Sequence, residues 1–141
     1  MKSFLDEVAT RTPAPGGGAV AAMTAASAAA LVSMAARFSA SDEVARAGDE
    51  LRARLVQLAE DDAAAYTAVL GARGAARQEA LRLATDVPRE IATVAAEVTV
   101  LAHGLVENGN PRLTGDARVA ELLAEAAGRA AGVLVEINSA S

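Results

Sequence analysis

The chain has 141 residues, 52% of them hydrophobic and only 2% aromatic, and a formal net charge of −5. That length fits one domain, residues 1–141, and the acidic balance, with Lys2 the only lysine, argues against a nucleic-acid surface. The absence of cysteine removes disulfide and thiolate chemistry and is compatible with a reducing compartment, and one histidine among scattered carboxylates makes no metal site.

The N-terminus holds Asp6 and Glu7 where a signal peptide would be basic, and a short first helix is predicted over Phe4 to Thr10, with Ser3 and Asp6 as a capping pair. Pro13-Ala14-Pro15-Gly16-Gly17-Gly18 follows. Proline fixes an extended approach and glycine allows close backbone approach, so this loop opens a helix either as an anion-ready N-terminus or as a tightly packed turn. The second helix is predicted over Ala19 to Phe38. It carries no charge until Arg37, which is long enough to raise a membrane span. Its residues are mostly alanine, with Thr24, Ser27 and Ser33, so it reads instead as a helix buried all round, central to the fold and part of a two-fold interface.

Ser39-Ala40-Ser41 breaks the chain, and Ser41 or Asp42 is placed to cap a third helix with Val44, Leu51, Leu55, Leu58, Ala65 and Val69 near the helical period. Gly71-Ala72-Arg73-Gly74 is a turn. A fourth helix begins near Ala75, and Pro88, acceptable in a first turn, is predicted to start another. That helix runs to the stop signal Asn108-Gly109-Asn110-Pro111. A last helix after Asp116 carries Val119, Leu122, Leu123, Ala126, Ala130, Val133 and Ile137. No strand pattern and no solenoid repeat appear. The expected fold is all-α, a bundle of about five long helices around the Ala-rich one. Each buried methyl-sized group contributes only about 0.8 kcal/mol, so stability must come from many close helix contacts, to which a partner chain can add.

Chemical candidates are sparse. His103 lies among Leu101, Ala102 and Leu105 and reads as packing or surface. Glu60, Asp61 and Asp62 are consecutive, so at most one or two can enter a common site; Asp62 and Tyr66, four apart, share a face. Arg37 complements a helix C-terminus, while Asn108, Asn110 and Asp116 flank a loop where polar side chains cap helices.

The order of these segments carries more. The Pro-x-Pro-Gly-Gly-Gly start, Met34-Ala35-Ala36-Arg37, Glu60-Asp61-Asp62 through Tyr66, Pro88-Arg89-Glu90-Ile91-Ala92, Gly109-Asn110 with Asp116-Ala117-Arg118, and Val135-Glu136-Ile137-Asn138 occur in sequence. This pattern resembles the cyclodeaminase/cyclohydrolase family, which includes the cyclodeaminase half of formiminotransferase-cyclodeaminase and bacterial methenyltetrahydrofolate cyclohydrolases. The resemblance implies a cytoplasmic, all-helical homodimer with a tetrahydrofolate derivative as substrate, no metal, no membrane, and a site at or near the subunit interface. It implies catalytic roles for Asp62, Asp116 and Arg37, and substrate contacts for Gly16, Gly17, Gly18, Tyr66 and Asn110. Either water attacks a methenyl carbon and the ring opens, or a folate nitrogen attacks a formimino carbon and ammonia leaves; both need a proton shuttle. The chain departs from the family pattern after Arg37. Phe38-Ser39-Ala40-Ser41-Asp42-Glu43-Val44 stands where the family has a segment ending in Lys-Tyr, and the turn at residues 71–74 is short. The alternative reading is a degenerate family member that binds a ligand or protein as a helical dimer.

Overall fold

The computed structural model describes residues 2–140. Among them are five α-helices: α1 (Lys2–Ala9), α2 (Gly17–Phe38), α3 (Asp42–Gly71), α4 (Gly74–Asn108) and α5 (Thr114–Ser139), with a 3-10 turn at Pro111–Leu113 and no strand. The links from α2 to α5 are short, so consecutive helices run antiparallel. α2 packs on α3 and α5, α4 packs on the same two helices, and α2 meets α4 across the middle.

The interior follows from a spacing that alternates three and four residues, which keeps one stripe of each helix inward. On α2 the stripe is Gly18, Ala22, Ala25, Ala29, Val32 and Ala36. On α5 it is Ala117, Ala120, Ala124, Ala127 and Ala131. α3 and α4 supply the larger buried side chains, Leu55, Leu58, Ile91 and Val98. A methyl group is all that separates two backbones along the alanine stripes, so the helices approach at the low end of the usual range of about 8–10 Å. Gly48 of α3 shows how close. A Cβ there would sit 3.2 Å from the Ala29 carbonyl oxygen and would overlap the Ser33 hydroxyl, which itself donates to the Ala45 carbonyl at 3.2 Å. Twelve of the 22 residues of α2 are buried, which makes this membrane-length apolar segment the central helix of the bundle.

Two details here differ from the sequence expectation, the cap of α3 and the inward face of α5. Ser41 occupies the N-cap of α3, but its side chain makes no capping bond; Asp42 and Glu43 in the first turn complement the helix dipole instead. The α2–α3 turn is closed by backbone bonds from Ser41 N–H to the Ala36 carbonyl (2.9 Å) and from Ala40 N–H to the Arg37 carbonyl (3.4 Å), with Ala40 at φ 54° in the left-handed position usually given to glycine. The larger residues of α5 face outward: Val119, Leu122 and Val133 are 46%, 49% and 53% exposed, and alanines hold the interior.

The third-to-fourth helix region is also simpler than expected. α4 does not restart at Pro88; it is one helix of 35 residues with the proline buried inside it. Proline lacks the N–H that would bond the carbonyl four residues earlier, here Ala84. The Asn138 side-chain amide of α5 donates to that carbonyl at 2.9 Å, and this bond lets the helix continue.

Candidate active site

α3 and α4 are 30 and 35 residues long, against 22 for α2. Their hairpin therefore continues where α2 has not yet begun, and the Pro-Gly loop crosses the opening. The inward stripes run on in the same register. On α3, Leu55 and Leu58 are followed by Asp62, Ala65 and Val69; on α5, Ala131 is followed by Leu134 and Asn138; on α4, Ile91 and Pro88 are preceded by Ala84, Leu81 and Arg77. Without α2 between them these residues surround a cavity of about 470 Å³, floored by Gly16, Gly17 and Gly18. The site is thus the core stripe carried past the last alanine layer, with polar residues at the inward positions.

Asp62 is half-buried at the centre. Burial pushes its carboxyl above the ordinary aspartate range, and the backbone N–H of Ala19, donating to it, opposes that shift. The Ala19 N–H is one of the first-turn groups of α2 that have no partner within the helix; the first intrahelical bond runs from Val20 N–H to the Gly16 carbonyl at 3.0 Å. Gly18 makes the arrangement possible. A Cβ on it would overlap both carboxylate oxygens of Asp62. The third glycine of the loop therefore exists for the acid on α3. Tyr66, one turn beyond Asp62, is 48% exposed on the cavity wall. A carboxyl group raised above its ordinary range, beside an open cavity, is equipped to take up and release a proton there.

The structure separates the expected site residues into two groups. Asp62, Tyr66, Gly16, Gly17 and Gly18 come together. Arg37 stands twenty residues along α2 from Gly17, about 30 Å away. Its guanidinium is paired with Asp49 at 2.5 Å, which holds the Asp49 carboxyl below its ordinary range. Asn110 is at that same far end. Its amide donates to the Phe38 carbonyl (3.0 Å), its side-chain oxygen accepts the Arg112 N–H (3.0 Å), and its own N–H donates to the Ser39 hydroxyl (2.8 Å). It locks the α4–α5 link onto the end of α2. Asp116 is exposed in the first turn of α5. Within one chain, Arg37, Asn110 and Asp116 do not reach the cavity.

His103 is exposed at the α4–α5 seam, the surface alternative of the sequence reading. Its Nδ1 lies 2.6 Å from the Glu121 carboxylate, which is buried and also bonded by Arg118; these two partners hold the Glu121 carboxyl below its ordinary range. Among the described residues, no group of three or more acids and histidines is gathered as a metal site. Two polar cavity residues were not among the expected site residues: Arg77, and Asn138, which closes the last motif segment. Both lie on inward stripes, and that register was the available signal.

The whole chain, residues 1–141, matches the family described as formiminotransferase-cyclodeaminase. The methenyltetrahydrofolate cyclohydrolase of Methylorubrum extorquens is 37% identical over 163 aligned residues, covering 99% of this chain and 78% of that protein. The formimidoyltransferase-cyclodeaminase of Rattus norvegicus is 33% identical over 144 residues; the match covers 85% of this chain and 27% of that much longer protein. Among solved structures, the formiminotetrahydrofolate cyclodeaminase of Thermotoga maritima superposes with a TM-score of 0.95 at 32% identity, over 99% of this chain and 78% of that one.

Proposed function

This chain belongs to the formiminotransferase-cyclodeaminase family of folate one-carbon enzymes, and from that premise we propose that it is a methenyltetrahydrofolate cyclohydrolase working through the Asp62 cavity. The observation that carries the reading is the half-buried Asp62 carboxyl, raised in pKa and facing the cavity over the glycine floor. The methenyl carbon of the substrate bridges two nitrogens and shares a positive charge with them. A cation of that kind is complementary to a carboxylate and draws its pKa back down on binding.

Asp62 takes a proton from the attacking water as its oxygen bonds to the methenyl carbon, giving a neutral tetrahedral centre. One C–N bond then breaks with its electron pair going to nitrogen. Asp62 delivers its proton to that nitrogen, and the hydroxyl proton leaves to solvent as the formyl carbonyl forms. One water is consumed and one proton released. Proton transfer of this type accelerates a reaction by about 10²–10⁴. Cyclodeamination is the second reading, favoured by the likeness to the Thermotoga maritima cyclodeaminase; there the same carboxyl protonates departing ammonia.

The reading includes a homodimer, in the cytoplasm with its soluble substrate. Neighbouring α2 and α5 present Phe38, Val119, Leu122 and Val133 outward, each at least 46% exposed. We infer a two-fold axis perpendicular to α2, which sets the C-terminal end of the partner's helix beside the N-terminal end of this one. That arrangement carries a second copy of the Arg37 and Asn110 end toward the Asp62 cavity.

The test is the decay of methenyltetrahydrofolate absorbance, with ammonia release from formiminotetrahydrofolate as the companion assay. Acceleration over buffer that D62N abolishes supports the reading. Folate binding without acceleration in either assay replaces it with a degenerate binder, and no binding overturns both. Sedimentation as a monomer at micromolar concentration refutes the dimer.

A further inference from the structure

The geometry points to Arg77 as the residue that holds a carboxylate of the substrate's glutamyl tail. This rests on the folate reading above. Among the described residues, Asp62 and Arg77 are the only charged side chains on the cavity wall. Arg77 occupies the inward position of α4 two turns beyond Ala84, toward the tip of the α3–α4 hairpin, where a bundle would ordinarily place an apolar residue. Its Nη1 donates to the Val69 carbonyl at 3.0 Å, which fixes the guanidinium at the cavity mouth. That bond uses one of five donors.

The other arginines in the middle of α4 are neutralised. Arg82 pairs with Glu79 (2.6 Å) and Asp86 (2.8 Å), and Arg89 pairs with Asp86 (3.2 Å). Arg77, exposed at the cavity mouth, has no ion pair of this kind among the described residues, so its charge is available to a ligand there. Guanidinium presents a planar fork that matches a carboxylate and is weakly hydrated enough to bind one at a partly exposed mouth.

Spacing agrees with the chemistry. Val69, where the guanidinium is anchored, lies seven residues past Asp62 on α3, about 10 Å along the helix. Tyr66 stands between them on the same wall. In the substrate, an aromatic ring and an amide separate the one-carbon unit from the first glutamyl carboxylates. Placing the carbon at Asp62 puts the ring beside Tyr66 and the carboxylate within reach of Arg77.

The test compares R77Q and R77K with the wild type on methenyltetrahydrofolate and on the methenyl-tetrahydropteroyl analogue that lacks glutamate. R77Q should raise KM for the glutamyl substrate by about 10- to 100-fold, the range of one lost charge-assisted pair, with kcat nearly unchanged. The preference for the glutamyl substrate over the analogue should collapse, and R77K should keep part of it. Binding of p-aminobenzoylglutamate, read by calorimetry, should weaken in parallel whether or not turnover is measured. A KM that does not move, or one that rises equally for both substrates, overturns the assignment and leaves Arg77 as a cap on α3. Should R77Q fail to fold, R77K against the two substrates decides the same point. Wild-type turnover with R77Q unaffected refutes the Arg77 role alone; a wild type that neither binds nor converts folate refutes the function as well.

Discussion

The bond between Asn138 and the Ala84 carbonyl gives the most direct test of how the cavity wall is held. Pro88 removes the N–H that Ala84 would otherwise accept, and the Asn138 amide replaces it at 2.9 Å from 54 residues away. Asn138→Ala orphans a partly buried carbonyl. Such a group costs about 1–3 kcal/mol, and since solvent reaches the cavity side the lower half of that range applies, about 1–2 kcal/mol. For a chain of this size that corresponds to a fall in Tm of roughly 3–6 °C. Pro88→Ala restores a backbone donor to Ala84, so in that background Asn138→Ala should cost under about 0.5 kcal/mol. The cycle is measured by urea unfolding with unchanged m-values, and the coupling should reach about 1 kcal/mol. Equal costs of Asn138→Ala in both backgrounds would refute the argument, because Asn138 would then be stabilising α5 without regard to the proline.

D62N should lower kcat by about 10²–10⁴ and raise Tm at neutral pH. The sign follows from the raised carboxyl: its charged form is disfavoured in the fold, so Asp62 weakens the protein above its folded pKa and ceases to do so once protonated at lower pH. The Tm advantage of D62N should therefore shrink on acidification; an advantage that grows would contradict it. Gly18→Ala forces a Cβ into the Asp62 carboxylate and should cost about 1–3 kcal/mol, with most of the loss recovered when Asp62→Ala is added; calorimetry of the two variants decides. Ala40→Gly relieves a left-handed alanine worth about 1–2 kcal/mol and adds about 0.4–1 kcal/mol of unfolded-chain entropy, so a net gain of about 0.5–1 kcal/mol is expected in urea titration.

Local chemistry was readable and distant compensation was not. The Pro-Gly loop and the stop at Asn108-Gly109-Asn110-Pro111 announce themselves because proline and glycine act on their own backbone, and both fall at helix boundaries. Pro88 misleads for the same reason. Taken alone it marks a helix start, and only Asn138, from another helix, makes an interior position tolerable. α5 shows a second limit. Hydrophobic size points to Val119, Leu122 and Val133 as the core face, but α5 packs on the alanine stripe of α2 and on α4, whose Ile91, Val94 and Val98 already fill the interior, so the alanines go in. Arg77 lay inside the helix predicted from Ala75, in register with Ala80, Leu81 and Ala84, and was passed over because an arginine on that stripe does not read as an inward residue. Asp62 was legible as one of three consecutive acids, and its alignment with Leu55 and Leu58 identifies it as the inward one.

The same register explains why the cavity and the core cannot be tuned separately. An alanine stripe stabilises through close approach, and each layer contributes little, so the bundle tolerates few exceptions along it. Asp62 is such an exception. It takes the next inward position after Leu58, it loses hydration there, and it requires a glycine opposite to fit at all. An alanine or leucine at position 62 would extend the core by one more layer and close the opening. Keeping an acid there leaves the bundle ending early, over a carboxyl whose pKa is raised by the same burial that disfavours its charge. The unfavourable burial of Asp62 and the proton-transfer capacity proposed for it are therefore one physical quantity, and a substitution that improves the first must diminish the second.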